Sequence, residues 1–297
     1  MDEPLGAPLG VWIGALILAL VGGVVLRLGL DPYFDETHLA HYRAQLSVIR
    51  DFRAEEPDGS VVLLVGNSRL GRAYDEERMS RRLRGFSAIL PIWVGGIHRT
   101  FLGLGPALDV LMEARPELVV LQLSFPLRER SEAHFHRTWR RYLWHFLDGG
   151  GTWVPFRRAF VAAPGPGCPK PDPKVARAGP NWVDWYLASE GDSFELGTLG
   201  PSLDAAVAWA ARVRAQGGRL ALVSVPVHPA VEKYASIAEQ EEAALARMAP
   251  DSLWRVPYRV SPKDFCDLTH LNEVSGRRHG RWLTGRVRHE LSLGRQP

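Results

Sequence analysis

Cysteine is scarce in this chain of 297 residues: it occurs only twice, as Cys168 and Cys266. Neither residue belongs to a Cys-x-x-Cys motif or to a Cys/His cluster, so the sequence gives no sign of a zinc site. A disulfide between them would need an oxidising compartment, and two cysteines so far apart in sequence are more often unpaired. The sequence therefore favours two unpaired thiols, and it implies no metal and no cofactor.

The chain also lacks a large excess of one charge. It contains 36 Lys and Arg residues and 33 Asp and Glu residues, for a net charge of +3. No concentrated basic tail is present, which argues against nucleic acid as a partner. The hydrophobic share of 46% and the charged share of 23% are those of a folded chain with one substantial core. We therefore expect one main domain.

A long stretch without charge lies near the N-terminus, at 9–26, and reads LGVWIGALILALVGGVVL. It is long enough to cross a bilayer as a helix. A cleaved signal peptide and a buried soluble helix are the alternatives, but the acidic start MDEP and the lack of a clear cleavage site favour an uncleaved anchor. Arg27 argues weakly for a cytoplasmic domain, whereas long domains are exported largely regardless of such charges. Charge alone does not fix the side on which the domain lies.

Beyond this stretch, short apolar runs alternate with segments of helical periodicity. The runs are rich in Val, Ile and Leu, as buried parallel strands are; they are 61–65, 87–96, 117–125 and 219–227. Helical periodicity marks 101–116, 202–218, 230–250 and 272–291, with Ser202 as the expected N-cap of the second and Gly217 at its end. This alternation predicts a three-layer α/β/α sandwich with a mainly parallel sheet, preceded by one transmembrane helix.

One segment, 128–200, interrupts the alternation. It contains APGPGCPKPDPKVARAGP, whose proline and glycine content is incompatible with regular structure, and five of the ten tryptophans. A lid or substrate platform is one interpretation; an insertion that packs its own small core or contacts the membrane interface is the other. The predicted organisation is an anchor at 1–30, a helical juxtamembrane linker at 31–60, and an α/β domain at 61–291 that carries this insertion.

A serine stands where the first predicted strand ends, in the stretch VVLLVGNSRLGRAYD. Ligands bind at the carboxyl ends of parallel strands, and a following helix directs its free N–H groups to the same place. Ser68 lies at that junction, between Gly66 and a helix-like segment, where its hydroxyl would be exposed and its N–H could bind an oxyanion. The alternative role for Ser68 is an ordinary N-cap.

A serine nucleophile needs a base, and the base needs an orienting acid. The stretch DFCDLTHLN near the C-terminus places Asp267 three residues before His270, just ahead of a helix that begins at Asn272 or Glu273. This spacing lets one turn hold the carboxylate against one imidazole nitrogen and leave the other free for a serine. Seven further histidines have no acid so placed, and we interpret most of them as surface or packing residues; they are His98, His134, His136, His145, His228, His279 and His289.

Together these motifs resemble the SGNH (GDSL-like) hydrolase family. The resemblance rests on VGNSRLG as the nucleophile block, WVGG at the end of the second strand and DLTHLN as the Asp-x-x-His block, and it spans about 61–283. More closely, the chain looks like the membrane-anchored branch that includes AlgX-like and DltD-like proteins. The resemblance implies a flavodoxin-like sandwich, with Ser68 as nucleophile, His270 as base and Asp267 as its orienter.

The resemblance also implies oxyanion donors and shows two departures from the family pattern. Gly95 or Gly96 would lend an oxyanion N–H. Asn67 stands where the nucleophile block usually has Asp, and LQLSFPL follows the third strand in place of the oxyanion Asn block. Ser124 is the candidate substitute donor there.

The function that these expectations imply is O-acyl transfer or ester hydrolysis on a cell-envelope glycan or other polymer, through an acyl-Ser68 intermediate. The expected partners are that acceptor, the membrane and, as a further candidate, a membrane-bound acyl-donor protein; the domain is expected on the extracytoplasmic (periplasmic) side. Arg69 and Arg72 are candidates for binding an anionic acceptor, with a solvated helix face as the alternative. The competing functions are a lipase or thioesterase on small esters and a non-catalytic polymer-binding scaffold.

Overall fold

The computed structural model describes residues 9–83, 85–91, 105–123, 181, 184, 200–232 and 244–294. The side chains at 23–41 and 86–91 are not part of that description. The predicted insertion at 128–200 lies outside the described residues apart from 181, 184 and 200.

The described residues form one parallel sheet in the order β2-β1-β3-β4-β5. Its strands are β1 Val61–Gly66, β2 Phe86–Pro91, β3 Leu118–Gln122, β4 Arg219–Val223 and β5 Ser252–Trp254. The predicted parallel sheet is therefore confirmed. The sequence analysis missed β5, because its three residues are too few to show a period.

Helices in the described part of the chain include α1 Leu9–Glu55, α2 Ser68–Gly71, α3 Glu76–Leu83, α4 Gly105–Met112, α5 Pro201–Ala215, α6 Pro229–Glu232 and α7 Glu273–Leu293. Ser202 is not the N-cap of α5: Gly200 is, because Pro201 takes the first helical position, where its missing N–H is not needed. Gly217 follows the helix with a φ of 82°, a backbone conformation that favours glycine.

Helices cover both faces of the sheet. Alternate β1 residues point to opposite faces, so that Val61, Leu63 and Val65 belong to one core and Val62 and Leu64 to the other. The first core also takes in buried side chains of α1, α4 and α5, and the second those of α2, α3 and α7. Burial on both faces explains why the strands read as continuous apolar runs.

The last part of α1 belongs to this packed unit. Tyr42, Leu46 and Ile49 are each at most 3% exposed and lie in the first core. Arg53 Nη2 donates to the carbonyl of Arg115 at 2.8 Å. The packed unit therefore begins before 61, within the segment predicted as a linker.

The predicted anchor at 9–26 falls within α1, which runs unbroken over 47 residues. Several of its apolar side chains are exposed, among them Trp12 and Leu18. Within the part of the chain that the structure describes, we find no helix with the length and apolar character needed to traverse a bilayer.

Candidate active site

The nucleophile candidate lies immediately beyond β1. Asn67, in an extended conformation, caps α2 by accepting the N–H of Arg69 on its side-chain oxygen at 2.9 Å. Ser68 is therefore the first residue of α2 and not its cap, so the capping interpretation of Ser68 is wrong. Its hydroxyl is left available for another partner.

The histidine and its acid lie on a small hairpin that precedes α7. Phe265 and Leu271 form an isolated antiparallel bridge, and the N–H of Cys266 donates to the carbonyl of His270 at 3.1 Å. The residues between them form a tight turn with Asp267 at its start. The hairpin thus presents both side chains from one short stretch, as the spacing predicts.

Asp267 organises this turn with both carboxylate oxygens. Oδ1 accepts the backbone N–H groups of Thr269 and His270, each at 2.7 Å, and the Thr269 hydroxyl at 3.0 Å. Oδ2 lies 2.7 Å from Nδ1 of His270. The carboxylate therefore fixes the backbone of the turn and the orientation of the imidazole ring together.

The other imidazole nitrogen reaches the serine. Nε2 of His270 lies 2.8 Å from Oγ of Ser68, within the distance expected of a nucleophile and its base. With the Nδ1 proton directed at the Asp267 carboxylate, Nε2 is the acceptor for the Ser68 hydroxyl. The structure brings together the three residues that the sequence singled out, in one hydrogen-bonded chain from Ser68 through His270 to Asp267.

The electrostatics of the site keep the acid ionised. Burial raises the pKa of Asp267, but the hydrogen bond and charge of His270 and the N–H groups of Thr269 and His270 outweigh it. The net effect lowers the pKa from 3.8 to about 2. An ionised carboxylate at neutral pH can stabilise a positive charge that forms on the imidazole.

The predicted oxyanion donors fall mostly outside the described residues. Gly95, Gly96 and Ser124 lie outside them, and so do the tryptophans of the insertion. The Ser68 N–H, at the start of α2, is the predicted donor that the structure describes.

The two arginines after the nucleophile differ in environment. Arg69 is only 7% exposed, so the interpretation of a solvated helix face is wrong for this residue. Arg72 is half-buried and follows the last turn of α2, where its N–H donates to the carbonyl of Ser68 at 3.0 Å. Their role in binding an acceptor stays a prediction.

The sequence analysis missed two residues that hold the site together. Gln122, the last residue of β3, accepts the N–H of Asn67 at 3.1 Å. His228 donates its N–H to the carbonyl of Leu268 in the hairpin at 3.2 Å, and its ring packs edge-on against Phe265 at 5.5 Å. A polar residue ending an apolar strand was the available signal for Gln122; nothing in the sequence distinguishes His228.

The hairpin also carries a covalent link. Cys266, next to Asp267, is disulfide-bonded. The expectation of an unpaired thiol is therefore wrong for Cys266. The other cysteine of the sequence, Cys168, lies outside the described residues.

Comparisons with known proteins add a likeness to two solved structures. No protein-family model matches the chain, and no curated protein matches it. The chain is similar to a GDSL-like lipase from Bacteroides thetaiotaomicron VPI-5482, at 12% identity over 85% of this chain and 99% of that one, with a TM-score of 0.44. It is also similar to TesA, at 16% identity over 77% of this chain and 99% of that one, with a TM-score of 0.36.

Proposed function

We propose that this chain is a serine esterase or O-acyltransferase that works through an acyl-Ser68 intermediate. The observation that carries the proposal is the hydrogen-bonded chain from Ser68 Oγ to His270 Nε2, at 2.8 Å, and from His270 Nδ1 to Asp267 Oδ2, at 2.7 Å. This order of nucleophile, base and acid is the one that activates a serine hydroxyl toward a carbonyl carbon.

The first half-reaction forms the acyl-enzyme. As Ser68 Oγ attacks the ester carbonyl, its proton passes to Nε2 of His270, and the Asp267 carboxylate stabilises the imidazolium. The tetrahedral intermediate then expels the alcohol, which takes that proton from Nε2. The carbonyl oxygen carries negative charge in between, and the Ser68 N–H is the described donor proposed for it.

The second half-reaction runs the same steps in reverse with a new oxygen. A hydroxyl of the acceptor, or water, gives its proton to Nε2 of His270 and attacks the acyl carbon. The tetrahedral intermediate then breaks its bond to Ser68 Oγ, which takes the proton back from Nε2. Exclusion of water in favour of a polymer hydroxyl makes the enzyme a transferase.

We further propose that the acceptor is an envelope glycan or polymer and that the domain lies outside the cytoplasm, held by the apolar stretch at 9–26. The disulfide at Cys266 supports an oxidising compartment, because such bonds are rare in the cytosol. The aromatic content of 128–200 suits stacking on sugar rings.

Turnover of p-nitrophenyl acetate, with and without a soluble envelope polysaccharide, tests the proposal. We expect release of p-nitrophenol by the wild-type protein and none above background by Ser68→Ala. Acetyl groups that appear on the polysaccharide indicate transfer, and free acetate alone indicates hydrolysis. A Ser68→Ala variant as active as wild type would overturn the proposal.

A further inference from the structure

Strand β3 ends in one buried polar side chain. Gln122 is 0% exposed, and the four residues before it in LVVLQ are all apolar and buried. Burying an amide is unfavourable unless it is hydrogen-bonded. The contacts of Gln122 therefore indicate what its side chain does.

The amide oxygen of Gln122 contacts the nucleophile turn. Strands β1 and β3 pair in register with Val65 opposite Leu121, so Gln122 lies beside the end of β1. Its Oε1 accepts the N–H of Asn67, the residue before Ser68, at 3.1 Å. The bond crosses from one strand to the turn that follows its neighbour.

Gly66 makes this approach possible. A Cβ at Gly66 would lie 2.8 Å from Oε1 of Gln122 and 2.7 Å from Cδ2 of Leu70. Both distances are shorter than a van der Waals contact, so any side chain at this position would push against the amide. The absence of a side chain at Gly66 therefore leaves room for the Gln122 amide to reach the turn.

Asn67 is consequently held at three points. Its N–H donates to Gln122, its side-chain oxygen accepts the N–H of Arg69 at 2.9 Å, and its carbonyl accepts the N–H of Gly71 at 3.1 Å. The last two bonds lie within the cap and first turn of α2. The bond to Gln122 joins that turn to the sheet.

We propose that Gln122 is a positioning residue for Ser68. His270 approaches the serine from a separate hairpin, so the 2.8 Å contact between them depends on where the sheet holds the nucleophile turn. Gln122 accepts the N–H of the residue before Ser68, so it acts on the serine through the backbone. The assignment rests on the proposed serine chemistry.

The test is Gln122→Met, which keeps an unbranched side chain of similar length but removes the oxygen acceptor. With the Asn67 N–H unpaired, the turn is expected to shift. Because small misplacements of reacting groups are costly, we expect kcat for p-nitrophenyl acetate to fall roughly 10- to 100-fold. KM should stay within about twofold, since the ester itself loses no contact. The rate of labelling by a fluorophosphonate should fall in parallel with kcat.

The matched control is Val223→Ala. Val223 is opposite Gln122 in the register of β3 and β4 and is fully buried, so its truncation weakens the same part of the core without touching Asn67. We expect a lower Tm with kcat within about twofold of wild type. Gln122→Leu serves as a second variant without the oxygen acceptor, and it should lower kcat without raising KM because the Asn67 N–H loses the same partner.

The outcomes separate this inference from the proposed function. If wild type is not labelled at Ser68, the serine chemistry itself is refuted. If wild type is labelled and Gln122→Met is labelled equally fast, only the positioning role is refuted. Equal losses of kcat in Gln122→Met and Val223→Ala would assign Gln122 to packing. If Gln122→Met does not fold, unchanged kcat in Gln122→Leu overturns the role, and a lowered kcat at unchanged KM supports it.

Discussion

Nε2 of His270 lies 2.8 Å from Oγ of Ser68, although the two residues are 202 positions apart in the sequence. The contact exists because Ser68 begins the helix after β1 and His270 ends a hairpin turn just before α7. Carboxyl ends of parallel strands share one edge of a sheet, where ligands usually bind. The relationship between these two side chains therefore places the candidate chemistry at that edge.

Replacing Asp267 should show whether its carboxylate takes part in catalysis or only stabilises the hairpin. Asp267→Asn keeps the size of the side chain but no longer holds the imidazole in the tautomer that accepts the serine proton. We expect kcat for p-nitrophenyl acetate to fall about 10³- to 10⁴-fold with little change in KM. Steady-state kinetics at neutral pH would show this.

Asp264 supplies the control for that experiment. It lies in the same loop, accepts the N–H of Ser261 at 2.8 Å and the hydroxyl of Ser275 at 2.5 Å, and has no contact with His270 among the described residues. Asp264→Asn is expected to lower Tm and leave kcat nearly unchanged. Comparable losses of kcat in the two variants would contradict a specific role for Asp267.

The half-buried carboxyl of Glu76 should make stability depend on pH. Burial raises its pKa from 4.5 to about 7. Between these two values the folded state keeps a proton that the unfolded chain has lost. The contribution of this residue to the free energy of unfolding therefore falls as pH rises from about 4.5 to about 7, and it stays constant at higher pH. We expect the Tm of Glu76→Gln, measured relative to that of wild type, to increase from pH 5 to pH 8.

Glu77, the next residue along α3, gives a matched comparison by thermal unfolding. It is exposed and pairs with Arg81 at 3.3 Å. The difference in Tm between Glu76→Gln and Glu77→Gln should therefore grow from pH 5 to pH 8. A difference that stays the same over this range would show that the Glu76 carboxyl does not titrate as proposed.

The disulfide at Cys266 predicts the result of a thiol count. The sequence has two cysteines, and Cys266 is disulfide-bonded. Protein unfolded without reductant, with its thiols protected from exchange, should therefore contain no titratable thiol, and protein unfolded after reduction should contain two. Two thiols before reduction would contradict the disulfide and remove its support for an oxidising compartment.

Local patterns were enough to find the three side chains that the structure brings together. Asp267 and His270 lie within one turn, so their spacing alone predicted their contact, and the break after a buried strand located Ser68. β5 was not predictable in this way because its three residues are too few to show a period, and the role of Gln122 depends on which strands become neighbours. Tyr42, Leu46 and Ile49 do follow a helical i, i+4, i+7 pattern, which was a readable signal that α1 packs on the domain.

The most direct test of the central claim is to identify the residue that a fluorophosphonate probe modifies. Peptide mass spectrometry of the labelled wild-type protein should find one adduct, on Ser68, because His270 makes this hydroxyl nucleophilic. The adduct should be absent from Ser68→Ala and form far more slowly in His270→Ala, with both variants retaining a folded Tm. No adduct on Ser68 in folded wild-type protein, or labelling of Ser68→Ala as strong as that of wild type, would contradict the account.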